Sequence, residues 1–319
     1  MQHVYALGIA YILDFIIGDP KHWPHPVKAI GGLIQWLDKR WNRGTYRKVK
    51  GVIMIVLIII IVFSISFCFV SFVYSWNVYV GIFIEGVLIS TTIAQKSLKE
   101  AAIDIAVPLK QKNVSLAKEK LSYIVGRDTK HLKEQGIVRG TVETVAENTS
   151  DGITAPLLWG VIGGAPLALV YRAINTCDSM VGYTNDNYAA FGWASAKIDD
   201  LVNWVPARLT GWVMIFVVQP EKCLRKYAIN VFLRDQKNHQ SPNSGWGEAA
   251  VAALLGVQLG GINYYQGERS VSPTIGDALQ PLRVDHIDMS ISVMQRTVTS
   301  VMVLIIVGGL FYGTASAWL

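Results

Sequence analysis

Between Val52 and Tyr74 the chain runs for 23 residues without a charge, VIMIVLIIIIVFSISFCFVSFVY. At 1.5 Å per residue a helix of this length is about 34 Å long, enough to cross a hydrocarbon core of roughly 30 Å. Membrane insertion is therefore the constraint that any fold of this chain must satisfy. A second apolar run, Val78 to Ala94, follows after only Ser75, Trp76 and Asn77. So short a gap forces a tight helical hairpin, with Tyr74, Trp76 and Tyr79 placed as interface aromatics. His3 to Ile17 and Thr297 to Tyr312 complete four expected spans. The first lacks the basic flank and small-residue cleavage site of a signal peptide and is expected to be retained.

Three further apolar stretches are ambiguous. Ile153 to Val170 is 18 residues long but carries Pro156, Gly160, Gly163, Gly164 and Pro166. It either crosses or, as preferred here, enters and leaves by one face while packed against protein. Leu209 to Val218 is too short to cross alone. Ala249 to Ile262, rich in Ala and Gly, reads as a buried core helix. The expected fold class is all-α: a polytopic helical membrane protein with large cytoplasmic helical segments, forming one membrane-embedded domain over 1–319.

Charge supplies orientation. Gly18 to Lys50 carries eight Lys and Arg against two Asp, and so accounts by itself for the net charge of +6. By the positive-inside rule this loop is cytoplasmic and the N-terminus external. Gln95 to Asp151, with ten Lys and Arg, agrees. With the basic excess confined to one loop beside anionic lipid, nucleic acid is not an expected partner. Charged residues are only 16% of the chain, below the roughly 25% of soluble domains, because the spans dilute them. Most of the chain nevertheless lies in polar segments, which favours a membrane enzyme over a pore. Cys68, Cys177 and Cys223 show no CxxC spacing and read as small hydrophobes.

Five segments carry chemistry. In DFIIGDPKHWPHPVKAIG (14–31), His22 and His25 lie near Asp19, either as ligand spacing or as part of a rigid interfacial loop; the prolines preclude the regular helix of an HExxH site. In GRDTKHLKEQGIVRGTVETVAENTSDG (126–152), a helix from about Ile137 aligns Arg139, Glu143 and Glu147 at i, i+4 and i+8, and Asn148 and Asp151 extend the polar cluster. That cluster reads either as a solvated face with Arg139–Glu143 pairing or as a Mg²⁺ site. In 171–209, Asn175, Asp178 and Ser179 precede a break at Gly182. Lys197, Asp199, Asp200 and Asn203 follow, with Arg208 after Pro206. The adjacent aspartates are a ligand pair, or one ligand and a solvated neighbour. In 232–261, SPNSG is a turn and Glu248 opens an apolar helix whose positive N-terminus suits an anion. The fifth segment, 264–290, reads as a loop leading to the last span. Glu85 sits inside a span, where an acid costs at least ~2.5–3.5 kcal/mol, so it must face protein or water; a buried hydrogen bond is preferred to an ion pathway. No P-loop, GxGxxG, GxSxG or HExxH signature is present.

Taken in order, GDPKHWPHPVKAIG, RDT, TVETVAENTSDGITAPL, GGAPLALVYRAINTCDSMVGYTN, FGWASAKIDDLVNWVPARL, RDQKNHQSPNSGWGEAAVAALLGVQLGG and NYYQGE resemble the adenosylcobinamide-phosphate synthase family of cobalamin biosynthesis, called CbiB or CobD. Gly140 and Gly247 depart from the Ala and Pro expected of that pattern and carry no functional group. The resemblance implies a multi-pass enzyme of a prokaryotic inner membrane. It would join the propionate of adenosylcobyric acid to the amine of aminopropanol O-phosphate, or a related amino alcohol, with ATP and Mg²⁺. The lipid bilayer and other cobalamin-assembly enzymes are the implied surroundings. The corrinoid would be substrate rather than prosthetic group, and no DxHxxG pattern offers it a cobalt ligand.

Carboxylates and amines condense in water only after activation, so such a site needs Mg²⁺ ligands, cations for phosphates and a base. Within that reaction Glu147, Asn148, Asp151, Asp199 and Asp200 are assigned to Mg²⁺. Lys197, Arg139 and Arg208 are assigned to phosphates, and Glu143, Asp178 or His239 to the base. Asp19, His25, Lys28, Asn175, Asn185 and Asn243 join the substrate-binding set. The readings from other classes are a corrinoid or solute transporter using Glu85 and Asp14, and a membrane sensor that binds without catalysis.

Overall fold

In the computed structural model, which describes residues 1–20, 25–183, 185–265 and 267–316, the chain is a polytopic helical membrane protein. Four helical stretches among these residues are long and apolar enough to cross a membrane: Arg47–Trp76, Val78–Lys110, Glu134–Val181 and Asp285–Phe311. The chain folds into two compact units. One comprises 1–96, 151–203 and 302–319; the other comprises 97–150 and 204–301.

The first unit is built on α1 (Gln2–Ile16), α2 (Pro26–Trp41), α3 (Arg47–Trp76) and α4 (Val78–Ser90). The 15 residues of α1 rise only about 22 Å, less than the roughly 30 Å of a bilayer core. Asn77 closes α3 and caps α4, its side chain accepting from Tyr79 N at 2.8 Å and Val80 N at 3.2 Å. This is how three residues suffice to reverse the chain. Phe72, Trp76 and Tyr79 are exposed, apolar surface that suits lipid and its interface.

α5 (Gln95–Lys110), α6 (Val114–Ser122) and α7 (Glu134–Thr149) lead through a π-helical turn (Ser150–Thr154) into α8 (Ala155–Val181). α8 is two limbs. Its backbone leaves helical geometry at Gly163 (φ −147°, ψ 28°) and Gly164 (φ 63°, ψ −156°). Gly152 O accepts from Ala94 N, Gly160 faces Leu7 and Ile89, and Ala165 N–H reaches Glu85. Beyond the break, Leu169, Ile174, Cys177 and Val181 join the core formed by Ile34, Leu37, Met54, Ile55 and Ile58. Asp151 on the entry to the first limb and Tyr171 on the second are within electrostatic reach of each other. The chain therefore reverses at Gly163–Gly164, although its length alone would suit a single crossing. α9 (Trp193–Val202) packs against α8 and completes this unit's site.

In the second unit, α10 (Trp204–Val217), α11 (Arg225–Asp235) and α7 pack around α12 (Ser244–Leu255). Every residue of α12 except Trp246 is buried. The structure corrects the helix expected over 249–262. Gly256 adopts φ 63°, ends the helix, and an antiparallel hairpin follows. Its strands are β1 (Leu259–Tyr265) and β2 (Glu268–Ile275), paired from Leu259↔Ile275 to Tyr265↔Glu268. The expected loop after Tyr264 is thus a strand. Its β-branched residues pair with β1, which apolar periodicity alone could not reveal. The last helix, α13, runs Asp285–Ser316.

Candidate functional site

The two units each carry a polar constellation. In the first, buried Asp14 faces the amide N–H groups of Gln95 and Lys96 at the start of α5. Beyond α1, His25 caps α2: its Nδ1 accepts from Val27 N at 3.3 Å, so its Nε2–H faces Asp19 Oδ1 at 3.0 Å. The histidine is thus held in one tautomer by a backbone donor. Lys28 is exposed on the first turn of α2. His22 lies outside the described residues.

The centre of this constellation is the limb pair of α8 with α9. Arg172 Nη1 donates to Asn175 Oδ1 at 3.4 Å, and Asn175 Nδ2 donates to Asp199 Oδ1 at 3.3 Å. Asn203 Nδ2 donates to Asp151 Oδ1 at 2.5 Å. The buried Tyr171 hydroxyl feels Asp151, Asp199 and Asp178, and Arg172 feels Asp19 and Asp151. α9 separates the adjacent aspartates, since successive side chains on a helix point about 100° apart. Asp199 is buried, while Asp200 turns outward to Lys197 Nζ at 3.6 Å. Asn185 accepts from Tyr188 N at 3.1 Å and closes a surface turn.

The carboxylates of Asp151 and Asp199 and the amides beside them are hard donors, which suit Mg²⁺ rather than a soft metal. Among the described residues no group of three or more His, Cys, Asp or Glu side chains is placed to hold a metal ion. One or two carboxylates without a cage is the usual protein share when Mg²⁺ arrives with substrate phosphates. The donor chemistry is of the kind Mg²⁺ takes in such a partial site.

In the second unit α7 aligns Arg139, Glu143 and Glu147 as expected, but the main partner of Glu143 comes from elsewhere. Arg127 Nη2 donates to Glu143 Oε2, and Gly260 N donates to Glu143 Oε1 at 2.8 Å. Arg139 Nε is 3.7 Å from the same oxygen. Both guanidiniums also donate to Asn263 Oδ1, at 2.7 Å each. Arg139 further donates to Gly260 O and, at 2.8 Å, to Ile262 O. The β1 backbone is thereby bolted to α7.

Beside this network, Ser244 Oγ donates to Glu147 Oε1 at 2.8 Å, and His239 Nε2 lies 3.6 Å from Glu248 Oε1. His239 Nδ1 accepts from Ser241 N at 3.0 Å. Arg208 lies 4.0 Å from the centre of the Trp204 ring and 5.0 Å from that of Trp246, and donates to Asn243 Oδ1 at 3.2 Å. Asn148 Nδ2 donates back to Thr144 O at 2.9 Å on its own helix.

Burial, aided by the negative charges of Glu143 and Glu147, pushes the Glu248 carboxyl well above the ordinary glutamate range. The folded state therefore holds this proton where the unfolded chain has lost it. Stability is fully present below about pH 4.3, the unfolded glutamate pKa, and falls as pH rises from there toward the raised folded pKa. Glu248→Gln, which mimics the protonated group, is expected to flatten that alkaline decline in a series of melting curves. An unchanged slope would contradict it.

Of the sequence-derived candidates, Asp151, Asn175, Asp178 and Asp199 share one environment in the first unit. Glu143, Glu147, Arg139, His239, Asn243 and Arg208 surround the start of α12 in the second. Asp200 and Lys197 pair on an exposed face, and Asn185 closes a turn. Tyr171, Arg172 and Asn263 were not anticipated. Arg172 carries a signal, a charge closing the apolar run APLALVY, whereas Asn263, paired across 136 residues, carries only its place in NYYQGE.

Comparison with known proteins adds an independent finding. The family model described as CobD/Cbib protein matches residues 7–294. A cobalamin biosynthesis protein CobD from Halalkalibacterium halodurans is 50% identical over 312 residues, covering 97% of this chain and 98% of that protein. A CobD from Clostridium perfringens is 44% identical, covering 88% and 89%, and a CbiB from Salmonella typhimurium is 42% identical, covering 95% and 96%. No solved structure matches.

Proposed function

Because the chain belongs to the CobD/CbiB family, we propose that it acts in cobalamin biosynthesis as an ATP-dependent amide ligase of a prokaryotic inner membrane. It joins adenosylcobyric acid to aminopropanol O-phosphate, or a related amino alcohol, and yields adenosylcobinamide phosphate. The α8 limb pair enters and leaves the bilayer by its cytoplasmic face, and catalysis takes place on that side.

The chemistry is a two-step activation. A propionate oxygen of the corrinoid attacks the γ-phosphorus of ATP, the bond to the β-bridging oxygen breaks, and ADP leaves. The amine, once it has lost its ammonium proton, attacks the acyl phosphate carbon; inorganic phosphate leaves with the C–O bond's electrons and takes up the second proton that the nitrogen sheds as the amide forms. Asp151 and Asp199 would hold Mg²⁺, which supplies charge neutralisation on the phosphates. Glu147, Asn148 and Asp200 are the further candidates for the same ion. Arg139, Lys197 and Arg208 hold phosphates, and Asp19, His25, Lys28, Asn175, Asn185 and Asn243 orient the substrates.

The base is Glu143, Asp178 or His239; both Glu143 oxygens accept from Arg127 and Gly260, and His239 Nδ1 accepts from Ser241 N.

The observation that carries this reading is that Asp151, Asp178 and Asp199 all lie within electrostatic reach of the buried Tyr171 hydroxyl, with Arg172 beside it. That grouping combines hard ligands with a cation, as a metal–phosphate complex requires. The test is incubation of purified protein with adenosylcobyric acid, the amino alcohol phosphate and ATP, with the amide sought by mass spectrometry. Asp199→Ala is expected to lower the rate by 100-fold or more at limiting Mg²⁺, whereas Asp200→Ala stays within about threefold of the parent. Substrate flux in proteoliposomes without amide formation would favour a transporter. Binding without either would favour a sensor.

A further inference from the structure

The second unit contains a polar pocket of about 810 Å³ between the end of α6, the 127–131 loop and the tip of the β1–β2 hairpin. It falls within the 300–1,000 Å³ usual for small-molecule sites. None of its lining residues except Arg127 takes part in the network described above, and none was assigned a role from sequence.

Its inner wall is Arg127, whose side chain is only 10% exposed. The guanidinium plane is fixed from behind by Glu143 and Asn263. Two guanidiniums, Arg127 and Arg139, share the single carboxylate of Glu143, so this group keeps a net positive charge. Lys130 and His131 line the mouth, and among the described residues no carboxylate lies within ion-pair distance of either. Lys118 Nζ, held 2.9 Å from Lys130 O, adds a further cation close by. The acid of the pocket, Asp128, is engaged as a latch. Its Oδ2 accepts from Gly267 N at 2.7 Å, and its own N–H donates to Tyr264 O at 2.8 Å, clipping the hairpin tip to the loop. The half-exposed ring of Tyr264 forms an aromatic wall, and Ser122 and Thr129 contribute hydroxyls.

A preoriented guanidinium, an ammonium, an imidazole and hydroxyls converging beside an aromatic face are the donors of a phosphate-ester site. We propose that this pocket binds the phosphate of a phosphorylated substrate, with Arg127, Lys130 and His131 on the phosphate oxygens and Tyr264 against the organic part. The identity of the ester rests on the ligase reading, which requires two of them, ATP and the amino alcohol phosphate. The presence of the pocket does not rest on it.

The experiment is equilibrium binding of ATP, aminopropanol phosphate and inorganic phosphate to the full-length protein in nanodiscs, alongside the amide-forming assay. The double variant Lys130→Ala/His131→Ala, both at the rim where folding is not at stake, is expected to weaken binding of at least one ester by tenfold or more. Binding of adenosylcobyric acid is expected to stay unchanged. Tyr264→Leu separates the sources: ATP binding falls severalfold if the ring stacks on a base, whereas a bound amino alcohol phosphate is little affected. Unchanged affinity of the double variant for both esters, or no ester binding by the parent protein, overturns the proposal. Amide formation with normal KM for both esters in the double variant removes the pocket and leaves the ligase. Ester binding that depends on Lys130 and His131, without any amide formation, does the reverse.

Discussion

Glu143→Gln is expected to cost about 3–5 kcal/mol, the usual penalty for removing one partner from a buried ion pair. Glu143 is 5% exposed and, among the described residues, is the only anion bonded to the paired guanidiniums of Arg127 and Arg139. Glutamine keeps the shape and can accept from Gly260 N–H, so the loss is one of charge rather than volume. The two arginines would then repel each other with no counter-charge, and their bonds to Asn263 would not compensate. Unfolding of the detergent-solubilised protein measures the effect directly. A control comes from removing the cation as well. Arg127→Met combined with Glu143→Gln should cost less than the sum of the single changes, with a coupling of about 1–3 kcal/mol. An unfolding midpoint unmoved by Glu143→Gln would refute the structural role and leave this residue free to act as the base.

Gly164→Ala is expected to be comparably damaging, for a different reason. At φ 63°, ψ −156° the backbone is in a region that only glycine occupies readily, worth of order 1–3 kcal/mol. A Cβ there would lie 1.9 Å from Glu85 Oε1 and 2.7 Å from His3 Nδ1. Glu85 cannot yield cheaply, because it is the staple of the reversal. It accepts from His3 Nδ1 at 2.9 Å, Tyr74 Oη at 2.5 Å and Ala165 N at 3.1 Å. This set also answers the question that an acid within a span raises: the buried Glu85 carboxylate ties α1, α3 and α8 to α4 by hydrogen bonds, of which that from Ala165 N is fully buried. The expected outcome of Gly164→Ala is a large drop in thermal midpoint, with loss of activity because Tyr171 and Arg172 lie on the limb that Gly164 redirects. Glu85→Gln, which keeps an acceptor, should be milder than Glu85→Ala, which strands the buried Ala165 N–H at about 1–3 kcal/mol. A Gly164→Ala protein with parental stability would mean that the chain does not reverse there.

Some parts of the site were legible from sequence because they depend on neighbours within one helix. The i, i+4, i+8 spacing of Arg139, Glu143 and Glu147 places them on one face of α7 wherever α7 sits. Ile198 and Val202, four residues apart, already mark the packed side of α9, and Asp199 lies nearer to it than Asp200, while the equally apolar Leu201 is exposed. Pairings across long stretches of chain were not legible. The partner of Glu143 is Arg127, from a loop, and Asn263 is held from a strand that periodicity reads as the tail of a helix. His239 and Glu143 both resembled bases by residue type. Only their hydrogen-bond partners show that their acceptor positions are occupied.

Residue order alone is enough to place this chain in a membrane, to locate its long apolar helices and to show which family it resembles. Those properties follow from hydrophobic length and from short ordered motifs, both local. The tertiary structure decided that α8 turns back at Gly163–Gly164, that Asp151 meets Tyr171 and Arg172, and that a β-hairpin is bolted to α7 by two arginines. Each of these depends on burying polar groups opposite partners far along the chain, and which partner is met is set by packing rather than by spacing.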